Sequence, residues 1–234
     1  MDARQCFQAF GCQPSDQLLV VKEQHLADSN FVFAYLMKQA LLDENNRVLL
    51  LLTHNSLPHY ECVAKKIGLN LINKVQSGMV HVIDLQSIVL DLLNNQLPSV
   101  DLLSTIQRRI QQNVTENTNY KCWVFIDDYT HIQDCTHDVA ESINFLNMLL
   151  GEFYNETIRY IVGLHVGDEN DRILSSDLEY SADCIIDVSL MKTGRSDDIS
   201  GILKVLRNRK LITYHYKVRE YGVDIIAPGN FLIS

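Results

Sequence analysis

Five nearly continuous apolar runs of strand length, each followed by a stretch of helical period, limit what this chain can fold into. The runs are Leu18 to Lys22 (LLVVK), Arg47 to Thr53 (RVLLLLT), Met79 to Leu85 (MVHVIDL), Cys122 to Asp128 (CWVFIDD) and Thr157 to Val166 (TIRYIVGLHV). Strands without polar alternation are those covered on both faces, as in parallel sheets. Between the runs, a helix capped by Asp28 or Ser29 is predicted to reach Leu42, with Phe31, Tyr35 and Leu42 on one stripe. A second runs from Ser56 to Ile67, with Pro58 in its first turn and Gly68 just past its end. Helices are also predicted over Val100 to Gln112 and over Asp138 to Leu150, the latter closed by Gly151. This order predicts an α/β fold: a mainly parallel central sheet, helices on both faces and right-handed crossovers.

The pattern changes in the last third. Ala182 to Leu190, Gly201 to Leu206, Leu211 to Val218 and Val223 to Ala227 read as strands, with no room for helices between most of them. Tyr214, Tyr216 and Val218 fall on one face, His215 and Lys217 on the other. Short turns between such strands imply an antiparallel extension of the same sheet. Gln111 to Lys121 is expected to be a surface loop, and the acidic Gly167 to Ser181 a mobile loop with a short helix. The 234 residues suit an N-terminal extension over 1–17 and a single domain over 18–234.

The formal charge of −9 gives the chain no overall field to attract phosphates. Any contact with nucleic acid must come from a local basic patch or from partner subunits. None of the six cysteines forms a C-x-x-C pair, and no zinc site is expected. Purely apolar runs such as Val48 to Leu52 are far too short to span a bilayer. The first residues lack a basic segment followed by an apolar core, so a cytoplasmic location, or a nuclear one, is expected.

The order of elements is that of a P-loop NTPase. Such a fold holds its nucleotide in a loop of the form G-x-x-x-x-G-K-[ST], between the first strand and the next helix. Glycines let backbone N–H groups curl around the phosphates, the lysine neutralises charge and the hydroxyl reaches magnesium. Here the segment reads Glu23-Gln24-His25-Leu26-Ala27-Asp28-Ser29-Asn30. Glu23 and Asp28 take the glycine positions, Ser29 that of the lysine and Asn30 that of the hydroxyl. Like charges about 4 Å apart repel by roughly 4 kcal/mol at an effective dielectric of about 20. The loop is therefore expected to reject ATP, and no functional Walker A, cofactor or catalytic residue is expected. Asp127 and Asp128, ending their strand, resemble a Walker B pair that would help to hold magnesium. Without a phosphate loop, the plainer reading is a polar strand end.

His54, His59 and Tyr60 follow the second strand; His131, Asp134 and His137 follow the fourth; His165 lies near the end of the fifth. All lie near carboxyl ends of strands, where α/β sheets place ligands, but the spacings match no ligand motif. Arg207-Asn208-Arg209-Lys210 is the densest basic cluster. Arg207, Arg209 and Lys210 are candidate RNA contacts, against the plainer reading of a solvated hairpin turn that guards a sheet edge.

Taken in order, these features resemble the Elongator subunit-six family. The likeness is carried by LLVVKEQHLADSNFVFAYLMKQAL, RVLLLLTHNSLPHYECVAKKIGLNL, WVFIDDYTHI, GDENDRILSSDLEYSADCIIDV, GILKVLRN and ITYHYKVREYGVDIIAPG, nearly the whole chain from Leu18. The resemblance implies a RecA-like fold without a working ATP site. It implies a heterohexameric ring with Elongator subunits four and five, two copies of each, that binds tRNA and docks on the catalytic Elongator core. It also implies support of wobble-uridine modification at C5 rather than chemistry by this subunit. In such a ring each subunit shows a different face to each neighbour. Glu23, His25 and Asp28, with Asp127 and Asp128, are then expected at or near a subunit boundary. The competing readings are an active ATPase with a degenerate loop and a stand-alone nucleic-acid binder.

Overall fold

A computed structural model describes residues 3–24, 26–94, 101–117, 119–136, 138–152, 157–191 and 199–227. The described strands are β1 (Leu18–Gln24), β2 (Asn46–Leu52), β3 (Val80–Asp84), β4 (Lys121–Asp127), β5 (Ile158–Val166), β6 (Cys184–Ser189), β7 (Gly201–Arg207), β8 (Lys210–Arg219) and β9 (Gly222–Ile226). They form one sheet in the order β3-β2-β4-β5-β1-β6-β7-β8-β9. Pairing is parallel from β3 through β6 and antiparallel from β6 through β9. Both halves of the sheet thus follow the apolar patterning of their strands.

The described helices are α1 (Ala3–Ala9), α2 (Asn30–Ala40), α3 (Leu57–Lys66), α4 (Leu71–Gln76), α5 (Leu85–Asn94), α6 (Asp101–Glu116), α7 (Thr130–Asp134), α8 (Val139–Glu152) and α9 (Glu169–Ser181). Side chains of each central strand alternate between two cores. Leu19, Val21, Leu50, Phe125 and Ile161 pack with α1 to α4 on one face. Leu18, Val20, Leu49, Val124 and Val162 pack with α5 to α9 on the other. Burying each such side chain is favourable by about 1.5–3 kcal/mol, which is why these strands lack polar alternation.

Several expectations are corrected. Leu85–Asn94 is a helix that the sequence reading passed over, its Leu85, Ile88 and Leu92 buried against the sheet. The helix α6 continues to Glu116, through most of the segment expected as a loop. The helix α8 runs through Gly151 rather than stopping there. Residues 169–181, expected within a mobile loop with a short helix, form one regular helix of 13 residues. Asp168 accepts the Asp171 N–H at 2.9 Å and Asp171 returns the bond from the Asp168 N–H at 3.0 Å, a capping box. Leu174 and Leu178, four residues apart, anchor its inner face.

The segment before β1 packs on the domain. Phe10 and Cys6 are buried in the first core. Asp16, 3% exposed, holds Arg207 of β7 through two bonds of 2.7 Å. Among the described residues, no helix is long and apolar enough to cross a membrane.

Candidate functional site

The carboxyl ends of β1, β4 and β5 and the start of α2 enclose a cleft of about 220 Å³. Its position follows from topology. The chain leaves β1, enters α2 and returns as β2 beyond β5 and β4, so the sheet opens at its carboxyl edge beside β1. Glu23, Asp28, Ser29, Asn30, Asp127 and Asp128 all line this cleft. His25 lies outside the described residues.

The start of α2 is where backbone N–H groups lack helical partners and where an anion would sit. The protein's own acids take two of those groups. The Ser29 N–H donates to Glu23 Oε2 at 2.8 Å, and the Asn30 N–H donates to Asp28 Oδ1 at 2.9 Å. The register sets Glu23 beside His165 on β5, whose Nδ1 lies 3.6 Å from Glu23 Oε1.

The end of β4 is closed in a similar way. Asp127 is 4% exposed, accepting the Tyr60 hydroxyl at 2.8 Å and the Asn55 N–H at 3.0 Å. Burial raises its pKa, opposed by those two bonds, with the Asp128 charge raising it further. Asp128 takes a left-handed backbone, φ 52°, and its Oδ1 accepts the His165 N–H at 3.2 Å and the Thr130 N–H at 3.1 Å. Its Oδ2 lies 3.5 Å from His131 Nε2, and the His131 ring stacks on His54 at 4.6 Å.

Gly163 permits this crowding. A Cβ there would stand 2.8 Å from the Asp128 nitrogen and 2.9 Å from Phe33 Cζ. The Tyr129 N–H donates to the Gly163 carbonyl at 2.7 Å, drawing β5 against the β4 end.

Four carboxylates face this small volume, and among the described residues its walls carry no lysine or arginine. Bringing a polyphosphate into it would set like charges a few ångströms apart, each close pair costing several kcal/mol. Among the described residues no cluster of three or more His, Cys, Asp or Glu side chains could hold a metal ion. The acidic loop and the β4 acids are thus brought into one cleft. Tyr60, Asn55, Thr130 and Gly163 complete it. Of these only Tyr60 stood among the sequence candidates, and polar residues just past a strand are too common to mark the others.

The basic cluster lies elsewhere. Antiparallel pairing sets the end of β7 beside the start of β6, at the opposite edge of the sheet. Arg207 is committed to Asp16, while Arg209 and Lys210 are exposed in a turn with φ 48° at Asn208 and 63° at Arg209. His137 lies outside the described residues.

No protein-family model and no curated protein matches the sequence. Among solved structures, the chain is similar to a KaiC-like protein of the hyperthermophilic archaeon Pyrococcus horikoshii OT3, with a TM-score of 0.66. The likeness covers 89% of this chain and 88% of that one at 12% identity. It shows the fold: a RecA-like α/β domain of the KaiC type, mainly parallel with an antiparallel end.

Proposed function

We propose that this chain is a non-catalytic, RecA-like ring subunit of the Elongator type. It assembles with Elongator subunits four and five, and the assembled ring binds tRNA and supports wobble-uridine modification. One observation carries the non-catalytic part: two of the amides that a nucleotide's phosphates would need, those of Ser29 and Asn30, are bonded to Glu23 and Asp28 of the same loop. The sequence resemblance supports the choice of assembly. The RecA-like fold is compatible with it, since such domains build head-to-tail rings.

In this role the degenerate loop and the β4 end lie at or near a subunit boundary. Side-chain contacts there supply the adhesion that a bound nucleotide gives in active relatives. The subunit uses no cofactor, and it works in the cytoplasm, with the nucleus a second site. The net charge of −9 makes the assembled ring, rather than the lone chain, the tRNA-binding species.

Co-expression with Elongator subunits four and five, followed by mass measurement of the purified complex, tests the reading. A complex with two copies of each chain is expected. A chain that purifies as a monomer in the presence of both contradicts it.

A further inference from the structure

The opposite edge of the sheet carries a second cleft, of about 740 Å³. It lies between residues 14–17, the carboxyl end of α2 and the starts of β4 and β5. Its volume is in the range of sites for small organic molecules, about 300–1,000 Å³.

Arg159 forms part of its wall and is only 7% exposed. Its Nε donates to the Asp16 carbonyl at 2.7 Å, and its Nη2 donates to the carbonyls of Gln13 at 2.9 Å and Pro14 at 2.6 Å. Its Cζ lies 4.2 Å from the Trp123 ring centroid. Among the described residues, Nη1 has no acceptor and no carboxylate pairs with this guanidinium. The nearby Asp16 carboxylate is matched by Arg207 instead.

Burial is costly for a guanidinium and lowers the Arg159 pKa, while the more distant Asp16 and Asp183 charges pull it back up without forming an ion pair. Trp123, 8% exposed, lines the same cleft, and its indole N–H donates to no described residue. Two donors, one charged, thus stand in one cavity wall without acceptors. Phe7 and Leu42 add apolar surface, and the exposed Lys121 stands at the start of β4.

We propose that this cleft binds a small aromatic carboxylic acid, its carboxylate taken by Arg159 and the Trp123 N–H and its ring held by the Phe7 and Leu42 wall. A planar guanidinium matches a carboxylate's two oxygens. The nearby Asp43 and Asp183 favour a singly charged carboxylate over a doubly charged phosphate.

Trp123 is the only tryptophan of the chain, so its fluorescence reads the site directly. The purified full chain is titrated with phenylacetate and with the neutral phenylacetamide. A saturable change in emission is expected for phenylacetate, with at least about tenfold weaker binding of the amide. Arg159→Gln abolishes the difference between the two. Should that variant fail to fold, Lys121→Glu, at an exposed position, weakens phenylacetate by several-fold and leaves the amide unchanged. No saturable response to phenylacetate, or equal affinity for acid and amide, overturns the proposal.

Discussion

The carboxylate of Glu23 accepts the backbone N–H of Ser29 at 2.8 Å, which ties the end of β1 to the N-cap residue of α2. A bound anion would compete for the same amide. Glu23→Ala removes this acceptor and is expected to lower stability by about 0.5–2 kcal/mol, the usual range for losing a helix cap, read by urea unfolding. In the double variant Glu23→Ala, Asp28→Ala two N–H groups at the helix start become available. Sulfate then raises its melting temperature more than that of the wild type. Equal shifts would mean that the two acids do not close the loop.

Tyr60 and Asp127 form a second closed pair, with the hydroxyl 2.8 Å from Oδ1 and both groups buried. Tyr60→Phe leaves a buried carboxylate with one donor fewer and is expected to cost about 1–3 kcal/mol. A double-mutant cycle with Asp127→Asn isolates the pair, and a coupling of about 0.5–3 kcal/mol is expected. A coupling indistinguishable from zero would make the contact incidental.

Asp187 on β6 supplies a pH dependence. Its Oδ2 accepts the Gln24 side-chain N–H at 2.7 Å, while its buried Oδ1 has no partner. Burial raises its pKa above the ordinary 3.8, with Lys22 and Lys204 pulling the other way. A carboxyl raised in the native state holds its proton longer there than in the unfolded chain. Its contribution is therefore most favourable below pH 3.8 and declines as pH climbs through the raised value. Asp187→Asn does not titrate, so its melting temperature gains on the wild type as pH rises through that window. A constant difference would contradict the assignment.

Arg207 and the turn that follows it separate two roles that the sequence merged. The Asp16–Arg207 pair is nearly closed to solvent on the Asp16 side, and Asp16→Asn is expected to cost about 3–5 kcal/mol in thermal or urea unfolding. Arg209 and Lys210 are exposed. Replacing both by glutamate is expected to leave stability within about 0.5 kcal/mol and to weaken tRNA binding by the assembled ring in a salt-dependent gel shift. Unchanged affinity would remove this turn from the RNA surface.

The sheet was legible from sequence because each central strand is buried on both sides, which leaves runs such as RVLLLLT without polar interruption. The helices were legible where a cap or a stop is local. They were missed where the capping aspartate also reads as a strand end or a loop residue. The helix α5 begins directly after β3 and is capped by the strand's own last residue, Asp84, whose Oδ1 accepts the Gln86 N–H at 3.0 Å, so strand and cap overlap in the sequence. In α9 the acids that read as loop form the capping box. Glu23 and Asp28 were legible because they stand at the glycine positions of the strand-to-helix turn, and Asp127 and Asp128 because they end an apolar strand. Tyr60 aside, their partners were not, because Asn55 and Gly163 meet Asp127 and Asp128 only through the pairing of β2, β4 and β5.

Isothermal titration of the isolated chain with ATP and magnesium tests the central point most directly. A cleft walled by Glu23, Asp28, Asp127 and Asp128, with the Ser29 and Asn30 amides already bonded, should give no saturable heat up to about 1 mM nucleotide. A stoichiometric isotherm with a dissociation constant of about 1–10 μM would contradict the account.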